Sequence, residues 1–136
     1  MTAPLAPGHA PSIPCQTERE RMLNSLFTTA LEGGIGYWSQ CTEYRWHVAG
    51  TDAVEALDFI AVIIETGDGD GTDQFVIDQS VIKRGIRKAH ARGNWNDYVT
   101  AALRDLTFGN WDEVDYDSDV ADIVVQFGLW DEYRYA

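Results

Sequence analysis

Three short stretches hold the residue types that could do chemistry. Tyr37 and Trp38 stand together just after Gly33, Gly34 and Gly36. A ring pair of this kind can stack on a base or another planar ligand, at about 1–3 kcal/mol per base in nucleic-acid binders. Lys83, Arg84, Arg87, Lys88 and Arg92 follow one another with no acid between them, a run suited to phosphate or carboxylate groups. Asp112, Glu113, Asp115, Asp117, Asp119 and Asp122 are spaced carboxylates. Such a run can meet a basic protein surface, or imitate DNA phosphates, which carry one charge per about 1.7 Å of duplex axis.

None of these residues completes a catalytic set. His9 lies in a tail, His90 lies among the bases, and His47 sits in an alternating segment beside Glu43 and Arg45. No Ser/His/Asp or Cys/His arrangement can be read, so a binding protein is expected rather than an enzyme, with no cofactor. Gly33, Gly34 and Gly36 follow a helical pattern instead of opening one, and no Gly-Lys-Ser/Thr comes after them. Close packing of a helix explains them better than a phosphate loop. The Asp68–Asp73 stretch has the look of a calcium loop, but Asp73 and Gln79 stand where an EF-hand needs glycine and glutamate. No metal site is expected. Cys15 and Cys41, with no histidine nearby, suit a reducing cytosol better than a disulfide or zinc site.

The elements that must position these residues follow from pattern. With 136 residues, 45% of them hydrophobic, the chain has the size and apolar content of one folded domain rather than a disordered protein. The longest apolar run, Phe59 to Ile64, is too short to cross a membrane, and the first residues lack the features of a signal peptide. All four prolines lie in residues 1–16, which read as a disordered leader ahead of a domain spanning 17–136. Thr17-x-x-Glu20 is a capping box. Met22, Leu23, Leu26, Phe27, Ala30 and Leu31 then recur at helical spacing, and the apolar phase runs on through Gly34, Trp38 and Cys41. That phase favours a helix continuing past Gly33–Gly34, with a glycine C-cap there as the alternative.

Strands are expected at 44–48, at the β-branched run 59–65 (a buried central strand) and at 74–77, the last two forming a hairpin across the glycine-rich turn. Helices are expected from Asp78 or Ser80 to Arg92, over 95–106, and after Asp117–Ser118. Residues 131–136 read as a short edge strand. The order α-β-β-β-α-α-α is an α+β domain, about four helices on a small antiparallel sheet of about three strands. On the basic helix Arg84, Lys88 and Arg92 fall on successive turns, which marks them for an anion site, with Arg87 beside them. Tyr37 is the more exposed ring of its pair, because a phenol seeks water or a partner.

The Thr28–Trp38 block resembles that of a small family of uncharacterised proteins encoded by actinobacterial phages and prophages. Ile77–Ile86 and Asp119–Leu129 are similar to that family's second and third blocks, and the likeness covers residues 22–136. The resemblance carries no catalytic residues. It implies a setting, the cytoplasm of an infected bacterium, and by analogy an accessory protein that blocks or redirects a host component.

Charge narrows the partner. Against 22 acidic residues stand 10 basic ones, a net charge of −12, which opposes bulk nucleic acid and anionic membranes. The leading expectation is therefore a non-catalytic protein that meets a basic host protein through its acidic C-terminal region. The alternative is a sponge for a nucleotide-derived defence signal, with Tyr37 and Trp38 stacking and the basic helix holding phosphates. A weaker alternative is a DNA mimic. A homodimer, basic helix against acidic segment, is compatible with the same charges.

Overall fold

A computed structural model describes residues 2–5, 17–50, 55–67 and 73–136 of the chain. Helix α1 (Glu18–Thr29) starts where the capping box predicts. Glu20 N–H donates to Thr17 Oγ1 at 3.1 Å, and Thr17 N–H donates to Glu20 Oε1 at 3.0 Å. Leu23, Leu26 and Phe27 line its buried face.

The helix does not continue to Cys41. Over Ala30–Gly34 it widens into one π-helical turn, Ile35 N–H reaching back to Ala30 O at 3.0 Å, and the chain then leaves the helix. Two adjacent glycines weaken the helix by roughly 1 kcal/mol each relative to alanine. Of the three glycines, Gly34 is the one pressed against a neighbour. A Cβ there would lie 3.0 Å from the Ser118 carbonyl oxygen, whereas one at Gly36 would meet nothing within 4 Å.

Strands β2 (Ser39–Gly50), β3 (Glu55–Glu65) and β4 (Gln74–Asp78) form an antiparallel meander, interrupted by a bulge between Cys41 and Glu43. β2 and β3 are both longer than the apolar pattern suggests. The leader is not wholly without structure. Thr2–Leu5 forms β1, antiparallel to β2 from Trp46 to Ala49, so the sheet order is β1-β2-β3-β4. An open strand edge offers a row of unpaired N–H and C=O groups, and an edge strand tolerates a proline such as Pro4. The remaining leader, 6–16, and the hairpin tip, 68–72, lie outside the described residues.

After β4 come α2 (Gln79–Arg92), α3 (Asp97–Phe108) and α4 (Ser118–Trp130). Each begins on a side-chain cap: Asp78, Asn96 and Asp117 accept from the backbone N–H of Val81, Val99 and Val120 at 3.1, 2.8 and 3.1 Å. The domain is therefore α+β, in the expected order after β1. The helices cover one face of the sheet only. Phe59, Ala61 and Ile63 are buried, while Ile60, Val62 and Ile64 on the other face are only half-buried, so β3 is not sealed on both sides as its composition suggests.

α4 is the centre of the molecule, buried without interruption from Val120 to Gly128. It meets α2 backbone to backbone. A Cβ at Gly85 would sit 1.8 Å from the Val124 carbonyl oxygen, and one at Gly128 would sit 2.2 Å from that of Val81. The two glycines are reciprocal, each admitting the other helix. Residues 131–136 add no strand to the sheet; they run back across the end of α4 as an irregular segment. Gly85→Ala should cost about 1–3 kcal/mol or more, because overpacking here strikes main chain that cannot rotate away. A urea titration showing less than about 0.5 kcal/mol of loss, the scale of ordinary surface changes, would contradict this contact.

Candidate functional site

The ten basic residues divide sharply by partner. Arg45, Lys88, Arg104 and Arg134 are in ion pairs, with Glu43, Asp131, Asp105 and Glu65 among their partners. Arg84 Nε donates to Gly128 O at 2.8 Å, and the Arg92 guanidinium lies 4.2 Å from the centre of the Trp95 ring. Arg21 is engaged as well. Arg19, Lys83 and Arg87 alone have no such partner among the described residues, and all three line one cleft.

That cleft has a volume of about 510 Å³, within the range of small-molecule sites. Met22, Leu23, Ile86 and Leu106 supply its apolar surface, and no carboxylate lines it. Its walls differ in chemistry. The cations come from the first turn of α1 (Arg19) and from α2 (Lys83, Arg87), whereas Phe108 and Trp111 come from the end of α3 and the turn beyond it. Gly109 closes α3 in a left-handed conformation, φ 74°, a geometry that favours glycine. The Trp111 indole folds back to 3.5 Å from where a Gly109 Cβ would sit. Phe108 is 68% exposed, with the His90 ring at right angles to it. Such a wall can hold an apolar or planar group while the cations hold an anion.

Of the expected anion residues, only Arg87 reaches the cleft. Arg84 and Lys88 lie against the C-terminal end of α4, where cations complement the helix dipole and bond the last carbonyls. Arg92 is stacked on Trp95. Arg19 gave no sequence signal, being far away in the chain. Lys83 stands one turn before Arg87 and shares its face of α2, whereas the ridge through Arg84 and Lys88 meets the end of α4.

Tyr37 and Trp38 divide as the exposure argument expects. Tyr37 is 60% exposed, whereas Trp38 is completely buried and cannot stack on a ligand in this conformation. Tyr135 already stacks on it, nearly parallel, with ring centroids 5.5 Å apart, and the Tyr135 hydroxyl bonds to Glu65. This contact, rather than an edge strand, docks the C-terminal segment. The acidic stretch also divides. Asp112, Glu113, Asp115 and Asp119 are exposed, Asp117 caps α4, and Asp122 is buried.

Asp122 organises a polar network inside the fold. Trp38 Nε1 and Gln126 Nε2 both donate to its Oδ1 at 2.8 Å, and the Tyr37 hydroxyl lies 2.5 Å from its Oδ2. That hydroxyl also lies 2.6 Å from the Tyr135 carbonyl oxygen, yet it has one proton for two acceptors. Burial pushes the Asp122 carboxyl above the usual range, and Asp119 adds to the shift, against the lowering effect of the three donors. Burial, then the Asp122 carboxyl, likewise drives the Tyr37 phenol upward.

A carboxyl raised on folding contributes stability that is full below its unfolded pKa and is lost as pH rises through the folded value. Asp122→Asn keeps an acceptor for Trp38 and Gln126 and a donor for Tyr37. Relative to wild type, the variant should therefore gain stability between about pH 4, near the unfolded carboxyl value, and pH 7. Denaturant titrations of both proteins at the two pH values measure this; a difference that does not change with pH would count against it. No protein-family model, curated protein or solved structure matches the chain, and what the cleft can do follows from its own side chains.

Proposed function

We propose that the protein is a non-catalytic binder that captures an anionic ligand with an apolar body in the cleft between α1, α2 and the end of α3. One observation carries this reading: in a chain of net charge −12, the three cations without a partner among the described residues converge on a single cleft. Chance placement would leave unpaired cations near the abundant carboxylates. The overall negative charge does not forbid an anion there. At physiological ionic strength the screening length is about 8 Å, so distant carboxylates count for little beside cations in contact. In the setting implied by the phage resemblance, such a binder would sequester an anionic signal of the host.

A second reading keeps the acidic surface as the working face, against a basic host protein. The exposed Asp112, Glu113, Asp115 and Asp119, none of them in an ion pair among the described residues, favour it. It is weaker than the sequence suggests, because Asp122 is buried and Asp117 serves as a helix cap. Imitation of DNA loses the same two carboxylates. Pairing of two copies through the basic ridge is weakened in a similar way, since Arg84, Lys88 and Arg92 are engaged within the chain.

Titration calorimetry of the full chain with tripolyphosphate tests the cleft directly. Saturable binding is expected, and Lys83→Gln combined with Arg87→Gln should weaken it about tenfold or more, as the loss of charge-assisted hydrogen bonds implies. Both residues are exposed, so the fold should survive, which circular dichroism would verify. If wild type takes up no tripolyphosphate, or the double variant binds it equally well, this function is wrong.

A further inference from the structure

The geometry points to a nucleotide as the ligand of the basic cleft, with phosphates on Arg19, Lys83 and Arg87 and the base against Phe108 and Trp111. The inference rests on the anion reading above and adds the identity of the ligand's other half. It begins with the separation of chemistries across the cleft. α1 and α2 contribute every cation, and the end of α3 with the turn beyond it contributes both aromatic rings. A ligand that satisfies both walls carries its anion at one end and a planar group at the other.

The end of α3 further defines that planar group. Gly109 N–H and Asn110 N–H both turn back to the Asp105 carbonyl, at 2.9 Å for Asn110. The carbonyls of Leu106, Thr107 and Phe108 therefore accept no hydrogen bond among the described residues. They are the last acceptors of the helix and carry the negative end of its dipole. An anion is disfavoured beside them, which leaves the phosphates to the α1–α2 side. A ring edge bearing N–H donors is favoured there. Adenine, guanine and cytosine have an exocyclic amino group to offer, whereas uracil presents mainly carbonyl oxygens around its single N–H.

The wall itself suits stacking. Phe108 is the most exposed of the large hydrophobic residues among those described, and although the His90 ring meets it edge-on, the ring at the mouth of a charged cleft keeps more apolar surface in water than ordinary packing requires. Stacking tolerates any base, so the amino edge, rather than the ring, supplies the preference. A free mononucleotide fits better than a nucleic-acid strand, because a longer polyanion would run past the cleft into a strongly acidic surface.

The test compares tripolyphosphate with the four nucleoside triphosphates on the full chain, so the anion is the same and the base alone differs. ATP, GTP and CTP should each bind at least about tenfold more tightly than tripolyphosphate, and ahead of UTP, on the scale of base stacking on aromatic residues. Phe108→Ala should remove most of that advantage while leaving tripolyphosphate binding unchanged. ATP should also quench tryptophan fluorescence, and Trp111→Phe, which keeps a ring in place, should abolish the quench. Tripolyphosphate binding with no advantage for any nucleotide would overturn the nucleotide assignment and leave the anion site standing. Equal affinity for UTP and ATP, or tighter binding of an oligodeoxyadenylate than of ATP, would also overturn it. Failure of every anion to bind would remove both readings.

Discussion

Two helices that meet main chain to main chain at a pair of glycines set the geometry of this protein. Gly85 of α2 lies against the Val124 carbonyl of α4, and Gly128 of α4 lies against the Val81 carbonyl of α2. At 100° per residue, turning Gly85 toward α4 fixes the direction of every other α2 side chain. Arg84 and Lys88 flank the contact and reach the end of α4, where one bonds the Gly128 carbonyl and the other pairs with Asp131. Lys83 and Arg87 point the opposite way, toward α1 and the end of α3. One run of bases thus serves two purposes, half of it closing a helix end and half of it lining a cleft.

The same contact explains the charge pattern. An acidic protein has many carboxylates to offer each cation, and most of its cations are engaged. Arg19, Lys83 and Arg87 are exceptions because the helices around them present Met22, Leu23, Ile86 and Leu106, not acids. The cleft is thus a basic spot held within an apolar frame. Its aromatic wall depends on a different local device, the left-handed Gly109 that turns Trp111 back beside Phe108.

Local signals proved legible in the sequence, and partners across the fold did not. The Thr17–Glu20 box and the cap at Asp117 are chemistry within four residues and stand where the pattern puts them, and of the two caps the pattern offers for α2 it is Asp78 that serves. The helices, the hairpin and the order of elements follow from periodicity. The π-helical turn at Ala30–Gly34 leaves no mark in the sequence pattern, because the apolar phase of a helix carries on through it. The half-covered face of β3 leaves none either, because a β-branched run says what a strand prefers, not how many layers will form around it. Arg84, Lys88 and Arg92 do share a ridge, but periodicity cannot say which neighbour that ridge meets. Arg19 enters the site from α1, and no spacing rule links it to Lys83 and Arg87.

The network around Trp38 has a consequence for how the molecule assembles. The Trp38–Asp122 hydrogen bond joins residues 84 apart, and the Tyr37 contact with the Tyr135 carbonyl spans 98. Each requires closing a loop through most of the chain, and loop entropy must be met before the buried network returns any stability. Helices elsewhere in the fold can form locally, yet the central helix α4 finds its partners only when distant segments arrive. Domains dominated by such distant pairings fold on the order of milliseconds to seconds rather than microseconds. During that interval the sheet would stand uncovered, and Trp38 would wait in water for both Asp122 and Tyr135.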